Sequence, residues 1–241
     1  MTPAFPVDPH WDQRNEAVVA ITAAARLSTA TKAFCSCAVE AGAEPNANTC
    51  PVCLGLPGTL PVLNARAVEL GVHAALALGC TVQMVTSFAR AHAPATPLVP
   101  KGYLLTQRER PLGARGSVRI GETPEGSPIA AAVRCAYLTE DTGRGAHGRF
   151  ADATGMDYNL AGGPLLVVEG TPDLRSPAEA RAYVAVLARL LRDVGASAAD
   201  LDDGTLVVTA HVALRGRGDL NAGGTCAVRG ARSLDALEQA V

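Results

Sequence analysis

Four cysteines within one short segment constrain this chain more than any other feature of its sequence. The segment 34–58 reads FCSCAVEAGAEPNANTCPVCLGLPG, with the spacings C-x-C and C-x2-C on either side of a loop that contains Gly, Pro and Asn. Four thiolates in two close pairs can surround one tetrahedral metal ion, for which zinc is the usual metal, and such a closed site is structural. The predicted ligands are Cys35, Cys37, Cys50 and Cys53.

Other uses of these thiols are an iron–sulfur cluster, a redox centre or four unrelated buried cysteines. Disulfides are disfavoured, because the N-terminal sequence MTPAFPVDPHWDQRNEAVV carries acids and lacks the apolar run of a signal peptide. We therefore expect a cytoplasmic protein whose thiols stay reduced. Cys80, Cys135 and Cys226 stand alone among apolar residues, which favours packing in the core over metal ligation.

The composition argues against two classes of partner. The 241 residues carry a formal charge of −2, so no global basic field is present to hold DNA. No apolar run is long enough to span a bilayer, which argues against a membrane partner. Because 48% of the residues are hydrophobic and only 4% are aromatic, we expect a sizeable core built mostly from Ala, Val and Leu.

Hydrophobic patterns predict several strands. Alternation is clearest in 205–215, TLVVTAHVALR, which is typical of a half-buried strand. The turn-forming sequence ETPEGS lies between apolar runs at 117–120 and 129–138, which together predict a hairpin. Further strands are predicted at 17–25 and 164–169.

Helix caps predict two isolated helices. Asn64 is a good N-cap for a helix over 64–78, and Ser176 with Glu179 forms a capping box before a long amphipathic run. Three prolines in 89–101 predict an irregular loop. Hairpins mixed with isolated helices indicate an α+β fold around a largely antiparallel sheet with flanking helices.

Seven segments stand in an order that points to one protein family. They are LSTATKAFCSC, GAEPNANTCPVCLGLPGTLPVLNARAVE, PKGYLLTQ, LTEDTG, MDYNLAGGPLL, TPDLRSPAEARAY and DDGTL. In this order they resemble the B subunit of the aspartyl/glutamyl-tRNA amidotransferase. The resemblance implies the family's cradle-like domain over 17–241, after a polar lead-in at 1–16, with zinc in the loop 34–58. The helical and tail domains of the family are expected to be absent.

The resemblance also implies an activity with its cofactors and partners. The family's B subunit uses ATP and Mg²⁺ to phosphorylate a glutamate or aspartate carboxylate attached to tRNA, which gives the carboxylate a leaving group. Ammonia then arrives from an amidase subunit. The implied cofactors are structural Zn²⁺ together with ATP and Mg²⁺, and the implied partners are an amidase-like protein and aminoacyl-tRNA.

Five polar residues that match the family's motifs are the candidates for this chemistry. Glu140 and Asp141 in LTEDTG are the candidate catalytic acids. Lys32 and Lys101 are candidates for contact with nucleotide phosphates, and Asp157 is a candidate for holding magnesium, which needs only one or two carboxylates beside phosphate and water.

Other positions depart from the family, mostly by losing a charge or a hydrogen-bonding group. The family's first strand carries Glu and His where this chain has Thr22 and Ala24, and one of two paired acids is replaced by Thr139. The remaining departures are Arg144 for Lys, Leu160 for Arg, Val167 for Glu, and Val207, Thr209 and His211 for Arg, Asp and Asn. The family's aromatic-rich loop is also replaced, by the stretch APATPLVP at 93–100. These changes predict a cleft that no longer carries the ancestral reaction.

Three hypotheses for the function follow. The first is a catalytically degenerate homologue that acts as a zinc-stabilised component of a complex and binds a protein partner or aminoacyl-tRNA. The second is a repurposed site that activates another carboxylate with ATP, for example in specialised metabolism. The third is a purely structural partner of an amidase-like protein.

Overall fold

A computed structural model of the chain describes residues 14–93, 96–122, 126–146, 154–219 and 221–241. Most of the predicted lead-in 1–16 lies outside these residues. None of the helices in the described ranges is long and apolar enough to cross a membrane.

A nine-stranded sheet with antiparallel pairing throughout forms the centre of the fold. Its strands are β1 (Asn15–Arg26), β2 (Thr81–Val82), β3 (Ala89–His92), β4 (Tyr103–Thr106), β5 (Gly113–Glu122), β6 (Pro128–Glu140), β9 (Pro164–Gly170), β10 (Leu206–Gly216) and β11 (Cys226–Arg229). The order across the sheet is β11-β10-β1-β9-β6-β4-β3, with β5 pairing with β6 and β2 pairing with β5. A separate two-stranded sheet joins β7 (Arg144–Ala146) and β8 (Gly155–Asp157).

Four helices accompany the sheet in the described ranges, and together they confirm the predicted α+β class. They are α1 (Pro51–Leu54), α2 (Ala65–Ala77), α3 (Pro177–Asp193) and α4 (Leu234–Ala240). The predicted hairpin is the β5–β6 pair, although part of its ETPEGS turn lies outside the described residues. The predicted loop 89–101 is wrong at its start, because Ala89–His92 pairs with β4 as strand β3.

The main core lies on one face of the sheet, under α2 and α3. Strand side chains alternate between the two faces, and on this face Ile21 of β1 is 1% exposed. Leu70 of α2 and Leu187 of α3 are fully buried in the same cluster. The opposite face of the sheet is therefore not covered by these helices, and it is the face that carries Thr22 and Ala24.

The cap of α3 differs in one detail from the predicted capping box. The Ser176 hydroxyl accepts a hydrogen bond from the Glu179 N–H at 3.2 Å, as expected. The Glu179 carboxylate accepts from the N–H of Arg175 at 2.8 Å, one residue before the N-cap. The first bond satisfies an N–H group that the start of a helix leaves without a partner, and the second pairs an N–H group just outside the helix.

Two of the three isolated cysteines lie in the interior as predicted. Cys80 is 6% exposed and Cys135 is 5% exposed. Cys226 is exposed, so its predicted core position is wrong. It lies on β11, which pairs with β10 alone at the end of the sheet, and the strand gains little cover from such an edge position.

Candidate functional site

The four cysteines of the segment 34–58 come together as one cluster. Their Sγ atoms all lie within 4.8 Å of one another. Zn–S bonds of about 2.3 Å in a tetrahedron place sulfurs roughly 3.8 Å apart, so this donor set fits a zinc ion. Cys50 is the N-cap residue of α1 and Cys53 lies within that helix, which places both thiols on one short element.

Hydrogen bonds within the cluster favour a thiolate at Cys53. A hydrogen bond from Cys35 lowers the pKa of Cys53 to about 4, against the opposing effect of burial. The same hydrogen bond, followed by burial, raises the pKa of Cys35. The Cys50 N–H also donates to the Cys53 sulfur at 3.1 Å. A thiolate is the form of cysteine that binds metal, so Cys53 is the member of the cluster whose surroundings favour that form without an ion.

Lys32 is buried beside this cluster. Its side chain is 0% exposed. Its Nζ donates to the carbonyl oxygens of Asn48 at 2.7 Å and Tyr158 at 3.1 Å, and to the Cys53 sulfur at 3.5 Å. The ammonium thus offsets part of the negative charge that four thiolates would carry, and the predicted contact of Lys32 with a phosphate stays a prediction.

The loop between the cysteine pairs is held by a second segment far away in the sequence. Asp157 accepts from the N–H groups of Asn46 at 3.2 Å and Asn159 at 2.9 Å. The Asn159 side chain accepts from the Asn48 N–H at 2.8 Å and donates to the Glu44 carbonyl at 2.8 Å. We call these contacts between 43–48 and 156–159 the clasp. Asp157, predicted to hold magnesium, is part of the clasp in this structure.

Lys101 and Glu140 form a buried ion pair next to the cysteine cluster. The Lys101 Nζ lies 2.5 and 2.6 Å from the two Glu140 carboxylate oxygens, and the Leu105 N–H donates to Oε2 at 2.7 Å. Only 8% of the Lys101 side chain and 2% of the Glu140 side chain are exposed. A cavity of about 20 Å³ lies between this pair and Lys32, Cys35 and Cys53. The cysteine cluster and the predicted catalytic acid Glu140 therefore line the same cavity.

Close packing also links the first helix of the cysteine segment to Lys101. Gly55 ends α1 with φ of +73°, a left-handed conformation that favours glycine. A Cβ at Gly55 would lie 2.6 Å from the Lys101 Cγ, so the lysine stem occupies the space that a larger residue would need.

Asp141 is held by two arginines at the edge of an open cleft. The Arg144 Nη2 lies 3.0 Å from both carboxylate oxygens, and the Arg26 Nη2 lies 3.3 Å from Oδ2. The cleft has a volume of about 750 Å³ and is lined by Arg26, Asp141 and Arg144 together with Glu140. Of the candidate residues, the structure brings Glu140 and Asp141 to this cleft.

Five of the nine positions that are predicted to depart from the family line the same cleft. Ala24, Thr139, Leu160 and Val207 line it together with Arg144. These residues come from separate parts of the chain, so their convergence could not be inferred from the sequence. Ala24, Leu160 and Val207 make part of this lining apolar.

Strand register explains how the departures meet. Ala24 pairs with Val207 of β10 on one side and with Val167 of β9 on the other. Two residues earlier on β1, Thr22 pairs with Thr209 and Glu169. Each row crosses three strands on the face opposite the main core, and the row through Ala24 forms the apolar floor beside the cleft.

A family model described as the GatB/GatE catalytic domain matches residues 17–241. The chain belongs to this family. It is 40% identical over 231 residues to the B subunit of the aspartyl/glutamyl-tRNA(Asn/Gln) amidotransferase of Moorella thermoacetica, covering 94% of this chain and 47% of the relative. It is 37% identical over 227 residues to the corresponding protein of Persephonella marina, covering 94% of this chain and 47% of the relative.

A plant relative shows the same proportions. The chain is 37% identical over 228 residues to the B subunit of the chloroplastic/mitochondrial glutamyl-tRNA(Gln) amidotransferase of rice, covering 94% of this chain and 42% of the relative. The chain thus spans about half the length of the curated relatives it matches. The resemblance inferred from the seven sequence segments is confirmed as membership of the GatB/GatE catalytic domain family.

One group of polar residues in this family member was missed by the sequence analysis. Glu169 is 6% exposed at the end of β9, and its carboxylate accepts from the Tyr137 hydroxyl at 3.0 Å and the Arg108 Nε at 3.1 Å. Arg134 also forms an ion pair with it. The available signal was a lone acid at the end of the apolar run PLLVVEG, which predicts a buried carboxylate in need of partners.

Proposed function

We propose that this chain is a divergent, catalytically degenerate homologue of the B subunit of tRNA-dependent amidotransferases. In this proposal it acts in the cytoplasm as a zinc-stabilised component that binds an amidase-like partner protein or aminoacyl-tRNA. The names of its relatives supply the tRNA and amidotransferase parts of the proposal. The proposed loss of the reaction is supported by the apolar floor that Ala24, Val167 and Val207 form beside the cleft.

Phosphoryl transfer relies on metal-held phosphates and positioned charge, so the state of the remaining acids matters. Glu140 is neutralised by Lys101 in a buried pair, and Asp141 is held by two arginines. A magnesium ion at either carboxylate would have to displace a cation that already lies within 3.3 Å. The arrangement supports a structural role for both acids and a cleft without the ancestral magnesium site.

Zinc in this proposal contributes to stability and takes no part in a reaction. The four cysteine sulfurs would hold the ion and leave no open position for a substrate, which is the arrangement of structural zinc sites. Because the thiolates meet only in the folded chain, the free energy of metal binding becomes free energy of folding. Lys32 lies against Cys53 with its ammonium fully buried, which supports a strongly negative cluster at this place.

Calorimetric titration of the zinc-loaded protein with ATP, with and without Mg²⁺, tests the proposed loss of the reaction. We expect no magnesium-dependent heat at millimolar ATP. A saturable heat that needs Mg²⁺ and disappears in an Asp141→Asn variant would refute the proposed degeneracy. Asp202→Asn is a matched control, since Asp202 also lines the cleft but is not a partner in the two ion pairs that hold Asp141.

The binding part of the proposal needs its own experiment. Co-expression with an amidase-like protein, followed by purification on a tag carried by this chain, should yield a complex. A parallel filter-binding titration with Glu-tRNA and uncharged tRNA separates recognition of the aminoacyl end from recognition of the tRNA body. Failure of both experiments would refute the binding role.

A second candidate function is a repurposed carboxylate-activating site that uses ATP. It is favoured by one observation, the cleft of about 750 Å³ that still carries Glu140, Asp141 and two arginines at its edge. In that case Lys101 and Lys32 would contact phosphates and Asp157 would assist magnesium. Magnesium-dependent ATP binding in the calorimetric titration, followed by release of diphosphate or phosphate with a carboxylate panel, would favour this function.

A further inference from the structure

Glu169 is a buried carboxylate on the face of the sheet opposite the main core, which we call the open face. None of the roles described above uses it. Glu169 is 6% exposed, and a carboxylate at such a depth is costly unless it is paired and hydrogen-bonded. Its partners are the Tyr137 hydroxyl at 3.0 Å, the Arg108 Nε at 3.1 Å and the guanidinium of Arg134. One acid therefore gathers two cations at one place.

The backbone positions of both arginines are fixed by neighbouring residues. Arg108 follows Gln107, which is 1% exposed and exchanges two hydrogen bonds with the β6 backbone at 2.9 and 3.1 Å. The register of β6 against β9 shifts between Val133 and Cys135, which makes Arg134 the extra residue of a β-bulge. Bulges re-aim a side chain at a defined point of a sheet, and this one brings Arg134 to the carboxylate of the facing strand.

The two guanidinium groups remain accessible although their acid is buried. The side chains of Arg108 and Arg134 are 65% and 56% exposed, whereas that of Glu169 is 8% exposed. Two positive charges against one negative charge leave this cluster with a net positive charge. The carboxylate also holds the two cations together before any ligand arrives, which lowers the entropic cost of binding.

We propose that Arg108 and Arg134, positioned by Glu169, form a binding site for a small oxyanion on the open face of the sheet. The planar fork of an arginine matches the oxygens of a phosphate or a carboxylate, and two forks at one place can hold one such group. The ligand class is therefore a molecule that carries a phosphate or a carboxylate group.

The surroundings give such a group room and connect it to the cleft. Glu169 pairs with Thr22 of β1, and Thr22 pairs with Thr209, so small side chains lie beside the carboxylate that holds the arginines. Ala24 and Val167 lie two residues away from Thr22 and Glu169 on the same two strands, a distance of about 7 Å. A ligand whose anionic end binds the arginines can therefore lay an apolar part along the floor beside the cleft.

Chemical shifts of the arginine side-chain Nε–Hε groups test this site directly. The zinc-loaded protein is titrated with inorganic phosphate and, separately, with acetate, at constant ionic strength set with chloride. We expect saturable shifts at Arg108 and Arg134, and about tenfold weaker binding after Arg134→Gln. Saturation by one anion only would identify phosphate or carboxylate as the group that the site takes.

A matched variant controls for the loss of one surface charge. Arg119→Gln removes an exposed arginine that pairs with Glu122 elsewhere on the sheet, and it should leave both titrations unchanged. Arg108→Gln serves as a second test of the site if Arg134→Gln alters the fold as judged by circular dichroism. Shifts that do not saturate, or binding that weakens equally in the Arg119→Gln protein, would overturn the proposal. Neither ATP nor tRNA enters this experiment, so its result does not depend on the proposed function.

Discussion

The Lys101–Glu140 pair allows a sharp test of the idea that the remaining acids are committed to the fold. Glu140→Gln keeps the shape of the side chain and an oxygen for the Leu105 N–H, but it removes the charge that neutralises Lys101. Removal of one partner from a buried ion pair costs about 3–5 kcal/mol, because the other charge stays buried without compensation. Since the amide still accepts a hydrogen bond, we expect the lower end, about 3 kcal/mol.

Urea and thermal unfolding of the zinc-loaded protein, followed by circular dichroism, measure this loss. A domain of this size loses roughly 2–4 °C of melting temperature per kcal/mol, so the variant should melt about 6–12 °C below the parent. Lys101→Met should cost a similar amount, because it leaves the Glu140 carboxylate 2% exposed without its cation. The double variant should cost clearly less than the sum, with a coupling energy of about 2 kcal/mol.

The exposed Arg66–Glu69 pair supplies the control. Its side chains are 54% and 53% exposed, and Arg66→Gln should change stability by less than about 0.5 kcal/mol. A Glu140→Gln protein within about 1 kcal/mol of the parent would contradict the reasoning. It would mean that solvent or a movement of Lys101 compensates the charge, and that Glu140 is available for a metal or a substrate.

Three further predictions concern the metal, a buried hydroxyl and the core. Cys50→Ser should abolish stoichiometric zinc in elemental analysis and lower stability strongly, because folding is coupled to metal binding at such sites; a variant as stable as the parent would argue against a structural ion. Tyr183→Phe should stabilise the protein by about 1 kcal/mol, since within the described residues the Tyr183 hydroxyl is buried without a hydrogen-bond partner. Burial raises the pKa of Tyr183 above its usual value of 10.0, so the hydroxyl ionises first in the unfolded chain and the free energy of unfolding falls as the pH rises above 10. Unfolding curves at pH 8 and above pH 10 should show a smaller alkaline loss of stability in the Phe variant. Leu187→Ala, at a side chain with 0% exposure, should cost about 2–5 kcal/mol in urea unfolding, whereas Leu214→Ala, at a residue with 43% exposure, should cost much less.

Local patterns were sufficient to predict the parts of the fold that local physics decides. Ser176 and the apolar stripe behind it indicated α3, because caps and a period of 3.6 residues are encoded within one turn or two. Alternation in 205–215 indicated β10 in the same way. The four cysteines could be predicted to lie together, because two close pairs separated by a loop can surround one tetrahedral metal ion.

The same local patterns could not predict which strands would pair or where the charged residues would be buried. The apolar row through Ala24 depends on which strands flank β1, and that choice is made by the whole sheet. The positions of Lys32 and Asp157 depend on contacts with segments about a hundred residues away. Cys226 has apolar neighbours in the sequence but lies on an edge strand, where few residues can cover it. Periodicity says which side chains share a face, and it does not say what will cover that face.

The clasp has a consequence for the order of events during synthesis. Asn46 and Asp157 are 111 positions apart, so the second half of the clasp leaves the ribosome well after the four cysteines. At roughly 5–20 residues per second, the delay is about 5–20 s. If the cluster holds the proposed zinc ion, a nascent chain can therefore bind it while the residues that will enclose the loop are still being translated. Zinc would set the conformation of the loop first, and β8 would dock onto a surface that the ion has already shaped.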